Sequence, residues 1–403
     1  TTTAARSPID RLDGIGFPTK RDEAWRYAPH RLLGELTFGA SVAPPEALDL
    51  DLDARLPGLD GPRLDVVNGA VDHDRSVLPA VDGVAVSALV AAPADAARVH
   101  TERPDDEISD AYMALELAYG SDGAFVDVAA GAVVDVPIHV VHVAVPGATA
   151  NTSCSGVLIR LGAASRATVV ESRIGVGKDV GGSNVRTTIV LADDALLEHV
   201  LIQDLPSTQV HLARTEVDQA AGSTLHARSF NLGAGYGRLA YHVELNGAGA
   251  LAELSGLYFG VGDQILDQQL AVVHAQPDCT SRQAFRGVLD DSSIGVFNGG
   301  IDVRPGADGT DAEQANDNLL LSNRAEANSQ PRLEILADEV ACKHGSTVGQ
   351  LDDTALYYLR SRGINADEAR RLLINGFADQ VVDEVGDESL RAWITHRLGH
   401  DVV

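Results

Sequence analysis

"SGVLIRLGAASRATVVESRIGVGKDVGGSNVRTTIVLADDALLEHVLIQD", residues 155–204, contains four β-branched runs separated by short turns of small residues. Runs this short and this rich in Val, Ile and Thr predict strands, because a helix needs a longer segment with a 3.6-residue apolar period. The same texture continues on both sides. "GAVVDVPIHVVHVAV" (131–145) precedes it, and the turns "LGAAS" at 161, "LADDA" at 191, "QAAGS" at 219 and "LNGAG" at 245 recur with a spacing close to one solenoid rung. An antiparallel sandwich also yields many short strands. Small residues at the turns, an aromatic content of only 4% and the lack of long helices between strands favour a β-helix. It is expected from about residue 120 to about 335.

The ends read differently. "TKRDEAWRYAPHRLLGEL" mixes charges with Trp25, Tyr27, Leu32 and Leu33, and Pro29 predicts a break between two short helices. Residues 41–62 are rich in Pro and Asp and read as a linker, and "DDEISDAYMALELAYG" predicts a helix with Ile108, Tyr112, Leu115 and Leu117 on its apolar stripe. Towards the C-terminus, Asp352 or Asp353 is the expected N-cap of one helix and Gly363 its stop. Asn365 and Glu368 have capping-box spacing, and Ala369, Leu372, Leu373, Gly376, Phe377 and Val381 share a predicted face. A last helix carries Leu390, Trp393, Ile394 and Leu398. The expected division is a helical region and linker at 1–60, a β-helix core at 61–340 and a C-terminal helical domain at 341–403.

Composition narrows the function classes. A net charge of −27 disfavours nucleic acid and anionic membrane as partners. Lys occurs only at 20, 178 and 343, and no apolar run approaches the roughly 20 residues of a membrane helix. The first residues lack the apolar centre of a secretory signal, and three dispersed cysteines make a poor disulfide framework. A reducing, cytoplasmic setting is expected.

The candidate chemistry is sparse. "GVGKDVGGS" (175–183) has Ser172 and Asp179 where a phosphate loop needs Gly and Ser/Thr, so it reads as a loop. His139, His142, His199, His211, His226, His242 and His274 are scattered and read as structural. Asp290-Asp291 could serve a glycan-cleaving β-helix, but "LDDSS" is also an ordinary turn. "ADEVACKHGSTVGQLDD" (337–353) stands apart. Cys342 and His344, two residues apart, share a face in an extended segment, which suits a metal site, a nucleophile with its base, or part of something larger.

The stretch 310–377 resembles the SufB/SufD family of iron–sulfur cluster assembly proteins. Upstream, Asp267, His274, Ser281, Arg286-Gly287, Phe297 and Gly299-Gly300 resemble the same family's pattern, as does "RDEAWRYAPHRLL" near the start. Gln268, Gln269 and Leu270 depart from it. "CKHGSTVGQLD", with Gly345 rather than Glu, is similar to the SufD branch. The resemblance implies a right-handed parallel β-helix between helical domains, with no catalytic cycle of its own. It implies a SufB partner joined through the β-helix and the SufC ATPase docked on the C-terminal helices, in the region of Tyr357, Leu359, Arg360 and Phe377. His344, with Cys342 close by, would meet a SufB cysteine at a transient iron–sulfur cluster. Flavin in the complex, and a homodimer when the chain is alone, are further expectations. A SufB-type or self-pairing family member is the alternative, and a stand-alone β-helix carbohydrate enzyme a more remote one.

Overall fold

The computed structural model describes Leu12 and residues 15–39, 55–101, 108, 110–120, 122–147 and 151–401. The opening strands are β1 (Thr37–Gly39), β2 (Arg63–Val67), β3 (Ala70–Val77), β4 (Val84–Ala88), β5 (Gly123–Val128) and β6 (Ile138–Ala144). The long strands follow: β7 (Asn151–Leu161), β8 (Arg166–Gly175), β9 (Gly181–Leu191), β10 (Leu196–Asp204), β11 (Gln209–Gln219), β12 (Thr224–Asn231) and β13 (Tyr236–Leu245). The series ends with β14 (Leu251–Gly260), β15 (Ile265–His274), β16 (Thr280–Leu289), β17 (Ile294–Val303), β18 (Asp311–Leu320), β19 (Glu326–Ile335) and β20 (Ala341–Gln350).

From β7 onward, odd strands form one parallel sheet and even strands the other, so the chain winds a β-solenoid of about eight turns. Thr152 pairs with Gly182, Gly182 with Val210 and Val210 with Tyr236. These rungs have the same lengths as the spacing of the turns in the sequence. One corner repeats a left-handed residue per rung: Ala164 (φ 54°), Asp194 (58°), Gly222 (64°), Gly249 (71°), Asp278 (59°) and Gly309 (75°). Each donates its backbone N–H to a carbonyl of the next rung, from Ala164 to Asp193 (2.8 Å) through Gly309 to Glu339 (2.7 Å). The polar groups of the corner are thereby satisfied without leaving the stack.

Inside, Val126, Ile159, Ile189, Val217, Val243, Val272 and Ile301 form one buried aliphatic column. Each buried side chain of this kind contributes about 1.5–3 kcal/mol. β-branched residues suit it because they pack on a pleated surface with little rotamer loss.

The helical ends cover opposite sheets. Trp25, Ala28, Leu33, Tyr112 and Leu115 pack on Val210, Leu212 and Tyr236 of the odd sheet. Ile374, Ala378, Val381, Leu390 and Ile394 pack on Val200, Phe230, Leu257 and Val288 of the even sheet. A 3-10 turn at Glu23–Trp25 and a helix at His30–Leu33 flank Pro29 as expected, and Asp110 caps the helix Ala111–Tyr119 through Tyr112 N and Met113 N. The linker reading falls largely outside the described residues, as do residues 105–107 and 109 of the helix expected from 105. The C-terminal helices are Asp353–Ser361, Ala366–Val382 and Glu388–Asp401, with Asp352 and Asn365 as N-caps and Gly363 at φ 91°.

One boundary and one helix face differ from expectation. Residues 341–350 are a strand, β20, paired in parallel with β18, so the helical part opens at Asp353 and not at 341. The apolar face of Ala366–Val382 runs through Ala369, Ile374, Ala378, Val381 and Val382, most of it packed on the even sheet, which leaves Leu372 48% exposed.

Candidate functional site at the open end of the solenoid

β19 and β20 terminate the two sheets, and nothing among the described residues pairs with their outer edges. Ala341 N–H donates to Thr310 O at 2.8 Å, inside the pairing with β18. Alternation then turns the backbone groups of Cys342, His344, Ser346 and Val348 to the free edge. An unpaired edge is a template for another strand.

The Cys-Lys-His triplet splits across this strand. Lys343 faces outward, with Nζ 3.0 Å from Glu313 Oε1. Cys342 and His344 share the opposite face. Cys342 stacks on Ala312 and is half-buried against Ile301, Val303 and Val340. Burial pushes its thiol above the ordinary range, and the Asp311 charge adds to this. A protonated thiol is a poor nucleophile, and a metal would have to displace its proton. His344 is exposed and stacks in register on Gln314, which stacks on Gln283.

Beneath His344 the lumen turns from aliphatic to polar. Gln314 Nε2 donates to Gln283 Oε1 (2.6 Å), Asn316 Nδ2 to Tyr258 OH (3.0 Å) and Tyr258 OH to Asn318 Oδ1 (2.5 Å). Gln314 Oε1 and Ser329 Oγ are buried with no hydrogen-bond partner among the described residues. As nitrogen and sulfur donors, Cys342 and His344 suit iron, but they are two ligands where such a site needs about four. Among the described residues no group of three or more His, Cys, Asp or Glu is placed to hold a metal.

The other candidates have structural explanations. His139 Nε2 lies 2.8 Å from Ser172 Oγ, His211 Nδ1 2.8 Å from Ser183 Oγ, and His274 Nε2 2.8 Å from Ser281 Oγ, all buried. Residues 176–180 form the turn between β8 and β9. Asp291 (φ 51°) makes a corner whose carboxylate accepts Gly262 N–H at 3.0 Å, and Asp290 lies 3.5 Å from Arg370.

The upstream motif residues lock the scaffold. Buried Asp267 accepts hydrogen bonds from Tyr236 OH (2.7 Å), Arg238 Nη1 (2.6 Å) and Gln269 Nε2 (2.6 Å). Arg238 in turn stacks on Trp25 at 3.9 Å and donates to Ala24 O, so the N-terminal signature docks on the odd sheet through this pair. Arg286 lies over the Phe377 ring at 4.7 Å and donates to Gln380. Phe377 therefore packs the last helices against the solenoid, whereas Tyr357 is 75% exposed beside exposed Arg360 and half-buried Leu359. A surface cavity of about 490 Å³ is bounded by Tyr357, Arg360, Ile364 and Asn365.

Sequence reading missed a charged network inside the solenoid. Arg173 pairs with Glu171, and His199 Nε2 lies 2.8 Å from Glu171 Oε1, all within the lumen. A second buried network lies between the odd sheet and the helix Ala111–Tyr119, where Arg186 pairs with Glu116 and with Glu216 at 3.3 Å. The inward alternation of "VVESRIG" was the available signal.

The chain is a parallel β-solenoid protein with a free terminal edge, Cys342 and His344 on its last strand and helices packed on both sheets. Residues 144–377 match the family model described as the SUF system FeS cluster assembly SufBD core domain. The chain is similar to the iron-sulfur cluster assembly protein SufD of Escherichia coli K12, with 29% identity over 98% of this chain and 92% of that protein. It is 30% identical to a SufBD family protein of Mycobacterium leprae, over 97% of this chain and 92% of that one. The Bacillus subtilis SufD matches at 29% over 69% of this chain and 64% of its own length. This chain belongs to the SufBD family of iron–sulfur cluster assembly proteins, and it is SufD-like. None of its helices among the described residues is long and apolar enough to cross a membrane.

Proposed function

We propose that the chain is the SufD-like subunit of an assembly scaffold, pairing with a SufB-type chain through the free edge of β20 and docking a SufC-type ATPase on its C-terminal helices. The carrying observation is the position of Cys342 and His344 on the last rung, whose outer edge has no partner strand among the described residues. A nascent cluster is cargo that must leave, and a site completed by two chains opens when they separate. Incomplete ligation by this subunit fits that role. The exposed Tyr357 and Arg360 offer the surface for the ATPase, while Phe377 and Arg286 hold the helices to the solenoid so that movement is transmitted.

Two substitutions test this reading. Ser346→Pro removes an N–H that faces the open edge, a position where proline is compatible with a strand. The chain is expected to fold with unchanged circular dichroism yet to lose the SufB-type partner in co-purification. His344→Ala is expected to leave the complex intact and to reduce cluster formation on anaerobic reconstitution with iron and sulfide by about tenfold or more, since removing even a residue that only orients a ligand costs about tenfold to a hundredfold. Full cluster formation by the His344→Ala complex would remove the ligand role.

A further inference from the structure

One outward-facing row of the even sheet alternates acidic with basic side chains along the second half of the solenoid. Glu198, His226, Glu253, Arg282, Glu313 and Lys343 are consecutive register partners, one per rung from β10 to β20. His226 has a carboxylate at each ring nitrogen, Glu198 at 2.5 Å and Glu253 at 3.3 Å. Glu313 lies between Arg282 at 4.0 Å and Lys343 at 3.0 Å. Lys343 is the exception. It has Glu313 on one side only, its side chain is 70% exposed, and the other side is the free edge.

We infer that Lys343 sets the register of the partner strand, and that the SufB-type chain carries an Asp or Glu directly opposite it. This rests on the edge-pairing reading proposed above. An added strand lies about 4.8 Å away, and residues directly opposite share a face, so the next position of the row falls within ion-pair reach of Lys343. Opposite charges there favour the correct register, and a slip by one residue turns the partner's acid to the other face. Charge complementarity also selects the occupant. If β20 of a second copy paired with β20, the outward row facing Lys343 would be Ala341, Lys343, Gly345, Thr347 and Gly349, which contains no acid. At the same end of the solenoid a second copy offers acids at Glu326 and Glu334, the two ends of β19, and the opposite terminal strand β3 carries Asp72 and Asp74.

The test measures association of the full chain with the SufB-type chain of the same organism, as Kd against salt concentration. Lys343→Glu is expected to raise Kd about tenfold or more at low salt, because it sets like charges against each other. Lys343→Met is expected to raise it a few-fold and flatten the salt dependence. Reversing the opposing acid of the partner to Lys should restore binding to the Lys343→Glu chain. If Ser346→Pro abolishes pairing while Lys343→Glu leaves Kd and its salt slope unchanged, the register role is wrong and edge pairing stands. If neither changes Kd, the edge-pairing reading fails as well. If Lys343→Glu weakens only self-association, and Glu334→Lys or Glu326→Lys in the same chain restores it, the occupant is a second copy and the inference is overturned.

Discussion

Acidification from pH 7 to pH 5 is expected to lower the stability of this chain by roughly 5 kcal/mol, read as a fall in the urea midpoint. Burial is the main cause of depressed imidazole values at His139 and His211, each held down to about 3, and at His274, held down to about 4. Nearby arginines add to the effect, Arg63 at His139 and Arg173 at His211, whereas Asp311 opposes it at His274. The unfolded chain binds protons at these imidazoles near pH 6.5 and the folded chain does not. Their contribution is therefore complete above about pH 6.5 and is lost as pH falls towards 3–4. Each neutral histidine costs roughly 1.4 kcal/mol per pH unit in that window, on the order of 5 kcal/mol for the three by pH 5. That is comparable to the whole stability of many domains, about 5–15 kcal/mol. His211→Gln is expected to make the profile shallower by about one proton. A urea midpoint that stays flat between pH 7 and pH 5 would show that these imidazoles are not held neutral.

The solenoid was readable because its corners leave marks in the sequence. "LGAAS", "LADDA", "QAAGS" and "LNGAG" each contain the residue that adopts positive φ: Ala164, Asp194, Gly222 and Gly249. The β-branched runs between them become the stacked aliphatic columns. Capping chemistry was equally readable, since Asn365 Oδ1 accepts Glu368 N–H at 2.8 Å as the spacing predicts. What failed was the last rung. "ACKHGSTVGQ" shows no apolar alternation because no further rung covers it, so a strand defined by its pairing to β18 looked like the start of the helical region. The signal that makes a strand visible in sequence is burial, and the candidate site sits where burial stops.

The candidate site was legible as chemistry but not as position. Cys342 and His344 were recognisable as donors two residues apart, yet sequence alone did not reveal that Lys343 belongs to an alternating row or that His344 ends a column begun by Gln283 and Gln314. Those relations join residues about 30 positions apart, across a ladder whose register only the structure fixes. Phe377 illustrates the converse. The resemblance puts it in the docking region, whereas the guanidinium of Arg286 covers its ring.

Replacing Arg173 by Leu is expected to cost about 3–5 kcal/mol of unfolding free energy, the usual consequence of leaving a buried charge without its partner. Burial alone would raise the Glu171 carboxyl, but Arg173 and His199 hold it down to about 2. Glu171 also accepts from Thr187 Oγ1 at 3.0 Å, and Arg173 donates to the same hydroxyl at 3.0 Å, so the pair is tied to the odd sheet from within the lumen. Arg173 Nε and Nη1 find no acceptor among the described residues, which means the pair is not fully compensated even in the native chain. An apolar pair of similar volume should then be tolerated better than either single change. Glu171→Leu with Arg173→Leu is expected to recover most of the loss, with a coupling of a few kcal/mol in the double-mutant cycle. The pH response gives an independent check. Above its unfolded value of 4.5 the ionised Glu171 stabilises the fold, and this is lost as pH falls towards 2, so the double variant should be less acid-sensitive below pH 4.5 than the wild type. An Arg173→Leu chain within 1 kcal/mol of wild type by urea denaturation (about the lower edge of a measurable core defect) would mean that the lumen is wet enough to solvate Glu171.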